Sequence, residues 1–131
     1  MSPRTQFLSV DDVLAIHENT IAVEGGAPGL RDPGLLESAV LMPQQQFGGQ
    51  FLHEGLAAMA AAYLFHIAQN HAFYDGNKRA AALAALVFLQ VNGVDDLPVP
   101  EELESATLSV AAGEMSKADL TAWMRERVPD A

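Results

Sequence analysis

The stretch EGLAAMAAAYLFHIAQNHAFYDGNKRAAALAALVFLQV, residues 54–91, decides the fold. It reads as two apolar helices, over 54–69 and 78–91, joined by a short loop over 70–76. Apolar residues fall nearly all round the first, the pattern of a helix buried on every side rather than one lying on a surface. The many alanines in both let the two axes approach closely. Asn77 is a good N-cap for the second helix, and Asn92-Gly93 supplies its C-terminal stop. Two such central helices, with no alternating strand pattern of normal length around them, predict an all-α bundle with the loop at its heart.

Outward from this pair, the chain is helix after helix punctuated by Pro and Gly. Ser9 and Asp12 form a capping-box pattern ahead of Val10, Val13, Leu14, His17 and Ile21 at helical spacing, and Gly25-Gly26 ends that helix. A loop through Pro28 and Arg31 leads to Asp32-Pro33, an N-cap with Pro at the first helical position. Leu35, Leu36, Ala39 and Val40 are the expected buried face, and Pro43 the expected stop. Residues 44–53 are expected to be irregular, and 94–99 could form a short extended piece. A helix over 101–112 follows Pro100 and is closed by Gly113. A last one runs from Ser116, with Asp119 completing a second capping box, to Val128 before Pro129. Leu120, Trp123 and Met124 are its expected core residues. The 131 residues fit one domain, 1–131.

Composition narrows the function. The formal net charge is −10 with only seven Lys and Arg, which argues against a nucleic-acid partner, because binding phosphates along a duplex needs many cations. There is no cysteine, so disulfides and thiolate metal sites are excluded. The apolar segments 55–68 and 80–89 are too short to span a bilayer. Residues 1–20 carry Asp11, Asp12 and Glu18 and no apolar signal region. A cytoplasmic protein with no membrane partner is the expectation.

The chemistry-bearing residues lie in and just after the loop. The first turn of a helix presents unpaired N–H groups and partial positive charge, a ready anion site. Lys78 and Arg79 sit on that turn, where cations oppose the helix dipole at a cost of about 0.3–1 kcal/mol each. The arrangement is locally unfavourable unless something negative docks there, and phosphate is the natural ligand. Gly76 permits backbone angles that other residues avoid. Asp75 stands immediately before this nest; a carboxylate beside a polyphosphate calls for a hard cation such as Mg²⁺ between them. His71 offers an imidazole able to accept a hydroxyl proton near neutral pH. Phe73 reads as a core anchor pinning the loop. His17, His53 and His66 carry no motif. A metal set of His66, His71 and Asp75 would leave Lys78 and Arg79 unexplained and put two cations beside a metal.

His71-Ala72-Phe73-Tyr74-Asp75-Gly76-Asn77-Lys78-Arg79 resembles the signature of the Fic/Doc family, His-x-Phe-x-Asp/Glu-Gly-Asn-x-Arg between two helices. The stretches from Gly25 to Gly34, Phe88 to Gly93 and Gly113 to Ser116 look like its Doc (death on curing) branch. The resemblance implies a helical bundle that transfers a phosphate-containing group to a protein hydroxyl. Members of the Doc branch move the terminal phosphate of ATP to a threonine of elongation factor Tu, which stops translation, and are neutralised by a helix of a Phd-type antitoxin. Many other members transfer AMP. Those usually have Gly where Lys78 stands and a second Arg where Ala82 stands, so both departures favour phosphate transfer. A catalytically inactive binding module is the remaining alternative, which the intact motif opposes. Carried over residue by residue, the resemblance implies that His71 is the general base and that Asp75 holds Mg²⁺ and, as a catalytic residue, helps orient the acceptor. Gly76, Asn77, Lys78 and Arg79 would hold nucleotide phosphates, with Arg79 also stabilising charge on the transferred group. The loop 28–32 is placed like the family's flap, where Arg31 either meets the target or anchors the loop. Thr20-Ile21-Ala22-Val23-Glu24-Gly25 matches the family's self-inhibitory Ser/Thr-x-x-x-Glu-Gly/Asn pattern. The inhibitory Glu normally pairs with the second Arg, and with Ala82 at that position inhibition in trans is expected instead.

Overall fold

The computed structural model describes residues 4–128; Pro129 lies outside them. Six α-helices follow one another among these residues: α1 Val10–Glu24, α2 Pro33–Leu41, α3 Gly55–Asn70, α4 Asn77–Val91, α5 Pro100–Ala111 and α6 Lys117–Arg127. The all-α expectation holds. Between α2 and α3 lie a 3₁₀ turn, Met42–Gln44, and a two-residue-per-strand hairpin, β1 Gln46–Phe47 with β2 Gln50–Phe51, in antiparallel register Gln46 to Phe51 and Phe47 to Gln50. Gly48 and Gly49, both at positive φ, make its turn, the backbone that suits a two-residue hairpin connection. Residues 94–99 form no strand.

The caps explain where the helices begin. Ser9 Oγ accepts from the Asp12 N–H at 3.1 Å, and Asp12 Oδ2 accepts from the Ser9 N–H at 2.8 Å, the full capping box that starts α1. Asp32 Oδ1 accepts from the Leu35 N–H at 3.1 Å and Pro33 opens α2. The second box is half formed: Ser116 Oγ accepts from the Asp119 N–H at 3.0 Å, and no reciprocal bond is found among the described residues. Pro43 ends α2 as expected. The helix stops at Leu41 and tightens into the 3₁₀ turn that contains Pro43, since a residue without an N–H cannot extend the i→i−4 ladder.

Helix α3 is central. Every residue from Ala57 to Leu64 is buried, and α3 packs against α2, α4, α5 and α6, with α4 its most extensive partner. Helix α4 in turn packs on α1 and α5. Alanines at 60, 61, 62, 80, 81, 84 and 85 are fully buried, so the small side chains fill the space between helices where Leu would not fit. Leu35 is only half-buried, whereas Leu36, Ala39 and Val40 are buried. Trp123 is also half-buried rather than core, with the Arg127 guanidinium 4.1 Å above its ring. The segment before α1 is tied down by the Leu8 N–H donating to Tyr63 Oη at 2.8 Å and by Asn92, which bonds both the N–H and the carbonyl of Gln6. No helix of the described residues is long and apolar enough to cross a membrane.

Candidate active site

The packing of α3 on α4 leaves six residues, 71–76, to reverse the chain. Helix α3 is closed by His71 in the left-handed conformation at φ 49°, the one non-glycine residue with positive φ among those described. Such a conformation costs about 1–2 kcal/mol for a residue with a Cβ. Arg31 holds it there: Nε and Nη2 both donate to the His71 carbonyl oxygen, Nε at 3.0 Å. Arg31 is therefore an anchor of the loop. The segment 25–32 lies along the motif loop. The Arg31 and Asp32 N–H groups donate to the Ala72 carbonyl at 2.7 and 2.9 Å, and the Tyr74 N–H donates to the Gly29 carbonyl at 3.3 Å. Leu30 and Phe73 pair as an isolated antiparallel bridge.

Phe73 is the buried anchor expected of it. Asn77 plays a different part from the expected N-cap. Gly76, in the left-handed region at φ 76°, occupies that position. The Asn77 side chain is buried and closes the loop on itself: Oδ1 accepts from the Phe73 N–H at 3.0 Å and Nδ2 donates to the Phe73 carbonyl at 2.9 Å. A buried peptide group needs both partners, and Asn supplies a donor and an acceptor together. What Asn77 leaves for a ligand is its backbone N–H at the helix start.

Asp75 points outward. Its Oδ2 accepts from the Ala27 N–H at 3.2 Å and its Oδ1 from the Gly76 N–H at 2.8 Å. These two bonds first, then Arg79 and His17, hold its carboxyl below the usual range, so it is ionised near neutral pH. Gly26 lets the segment after α1 come this close: a Cβ there would stand 2.6 Å from Asp75 Oδ2. Lys78 and Arg79 are exposed on the first turn of α4, and Arg79 Nε lies 2.8 Å from Glu24 Oε2 at the end of α1.

A cavity of about 460 Å³ opens over this loop. His71, Asp75, Gly76, Asn77, Lys78 and Arg79 all line it, so the six residues singled out from the sequence converge. Glu24, Gly25, Gly26 and Tyr74 complete the wall. The donor set fits a nucleotide phosphate tail: helix-start N–H groups, a point charge and a guanidinium fork on one side, an ionised carboxylate on the other. It fits Mg²⁺ only in company with phosphate. No three His, Asp or Glu side chains come together as a metal set among the described residues, which also dismisses His66, His71 and Asp75 as one. One carboxylate plus substrate oxygens is the usual Mg²⁺ arrangement in such sites.

Sequence reasoning missed His17. It sits on the buried stripe of α1, as its spacing implied, but its ring lies parallel to Phe73 at 3.7 Å and Nε2 lies 2.7 Å from the Asp75 carbonyl. The signal available was a polar ring on an otherwise apolar stripe. Glu24 was visible as part of a pattern, and its partner was not.

Residues 7–89 match the Fic/DOC family. The chain is 35% identical over 118 residues to "Protein kinase doc" of Escherichia phage P1, covering 90% of this chain and 92% of that one. It is 46% identical over 90 residues to "Toxin Doc" of Mycolicibacterium smegmatis, covering 69% and 67%. With the motif seated in the cavity and the match spanning most of its length, this chain belongs to the Fic/DOC family.

Proposed function

We propose that this chain is a toxin-type protein kinase of the Doc branch. In this reading it moves the terminal phosphate of ATP to a threonine hydroxyl of elongation factor Tu, blocks translation in the cytoplasm, and is neutralised by a Phd-type antitoxin. The observation that carries the reading is the two-cation start of α4 opening into a cavity shared with His71 and the Asp75 carboxylate, in a chain similar over nine-tenths of its length to a relative named a protein kinase.

The residues divide the work. Backbone N–H groups at 77–79, Lys78 and Arg79 bind and orient the phosphate chain. Asp75 would hold Mg²⁺, which would offset the negative charge of the phosphate chain. The His71 imidazole takes the proton of the target hydroxyl as its oxygen bonds to the terminal phosphorus; the bond from that phosphorus to the bridging oxygen breaks, and ADP leaves with the electron pair. Arg79 stabilises charge on the transferred group. Ala82 puts no second guanidinium on this face of α4, and Lys78 fills the place where a glycine would admit the phosphates more closely.

A second cavity, about 570 Å³, runs between α1, α4 and α5 and adjoins the first at Glu24, Lys78 and Arg79. Its wall includes exposed Val23, Leu83 and Leu108. We assign this groove to the antitoxin helix: an apolar face laid there would cover the phosphate-binding end of α4.

Intact mass of elongation factor Tu incubated with the purified protein, ATP and Mg²⁺ tests the reading. A phosphate increment is expected. A nucleotide increment would instead assign AMP transfer, and no increment with any nucleotide, in the absence of antitoxin, would leave a binding module. His71→Ala should abolish the increment and relieve growth arrest on expression, and Arg79→Ala should abolish transfer with the far-ultraviolet spectrum unchanged.

A further inference from the structure

We propose that His17, on α1, is a positioning residue for this site: it fixes where Asp75 and the turn at Gly76 stand. The proposal rests on the kinase reading of the same cavity, and its test is arranged so that the two can fail separately.

His17 is 4% exposed. Its ring is stacked on Phe73 at 3.7 Å with planes 6° apart, and Nε2 is 2.7 Å from the Asp75 carbonyl oxygen. A carbonyl can only accept, so Nε2 carries the proton and donates. Stacking alone would leave the imidazole N–H of a buried histidine without an acceptor. This one also bonds the main chain of the residue whose carboxylate faces the cavity. It stands under the next residue as well: a Cβ on Gly76 would lie 3.4 Å from His17 Nε2 and 3.2 Å from Ile21 Cδ1. Asp75 is thus held from α1 through its carbonyl and from the segment after α1 through its carboxylate, where the Ala27 N–H donates.

The main-chain bond from His17 is the one that no side chain on α3 or α4 duplicates among the described residues. Remove it, and the loop keeps Phe73 in the core but loses the tie that sets the height of Asp75 over α1. Displacing a catalytic group by about 1 Å can lower a rate by about 100-fold. Substrate affinity resides mainly in Lys78, Arg79 and the helix-start N–H groups, so kcat should suffer more than the KM for nucleotide.

The variants separate donor from packing. His17→Phe keeps the ring stack and removes the donor; His17→Gln places an amide N–H where Nε2 was; His17→Met has similar length and no donor. We expect His17→Phe and His17→Met to lower kcat about 10- to 100-fold with the nucleotide KM within about 3-fold, and His17→Gln to recover most of the loss. Amide hydrogen exchange over residues 73–78, measured without nucleotide, should quicken in the Phe and Met variants and stay near wild type in Gln. Equal impairment of Gln and Met, or wild-type kcat and exchange in Met, would overturn the proposal. Should His17→Phe fail to fold, the Gln and Met pair decides. If the wild-type protein transfers nothing to any target, the kinase reading falls, and the exchange rates still decide whether His17 holds the loop.

Discussion

Two oppositely charged side chains meet where a phosphate is expected. Glu24 Oε2 lies 2.8 Å from Arg79 Nε, with both side chains about half exposed. Exposed pairs of this kind are worth only about 0.2–1 kcal/mol, so Glu24 can tax nucleotide binding without preventing it. A phosphate arriving at Arg79 also meets helix-start N–H groups that Glu24 does not use. Glu24→Gln should therefore tighten nucleotide binding by about 1.5- to 5-fold, that energy written as a ratio of dissociation constants. Titration with a fluorescent ATP analogue at low ionic strength reads it; unchanged or weaker binding would show that the pair and the phosphate do not compete. The pattern at residues 20–25 was legible in the sequence, but with Ala82 in place of a second Arg it pointed to no partner. That the end of α1 lies beside the start of α4 is a tertiary fact, and it hands Glu24 the first guanidinium instead.

At the level of elements, α3 and α4 were legible to within a residue because their alanines and apolar residues leave no polar face for any other structure to use. The second central helix starts at Asn77 rather than being capped by it. The miss has a definite cause: Asn77 is committed to the buried peptide of Phe73, a demand made by the loop and invisible to helix-capping preferences. The pairing of residues 29–32 with the motif loop was hidden for the same reason, since it is made by main-chain groups 40 or more residues away in sequence. So was the small hairpin, whose strands are too short to carry an alternating pattern. The tight α3–α4 contact makes its own prediction. Ala84 is fully buried, and Ala84→Leu should cost about 1–3 kcal/mol by overpacking. Urea unfolding measures it; a change below about 0.5 kcal/mol, the range of surface substitutions, would mean the helices are looser than described.

Across the whole molecule, charge is distributed unevenly: ten net negative charges overall, yet a cationic helix start at the one motif cavity. A second concentration of basic nitrogen lies elsewhere, where His53 on the loop before α3, His66 on α3 and Lys117 at the start of α6 influence one another. His53 Nδ1 and His66 Nε2 are enclosed and have no hydrogen-bond partner among the described residues. Burial first, then Lys117 and His53, push His66 down to about 4, and burial and Lys117 lower His53 as well. Both imidazoles are thus folded in neutral form, whereas in the unfolded chain they bind protons below about 6.5. The unfolded state takes up more protons as pH falls through that value, so folding stability is full above about 6.5 and declines toward 4. Carboxylates remain mostly ionised down to about pH 5, which leaves the interval from 6.5 to 5 to the histidines. Urea midpoints should fall steadily across that interval in the wild type. His66→Leu should flatten the slope, since it removes the strongly shifted group and leaves only the smaller share from His53. A slope unchanged by that substitution would place the acid sensitivity elsewhere in the molecule.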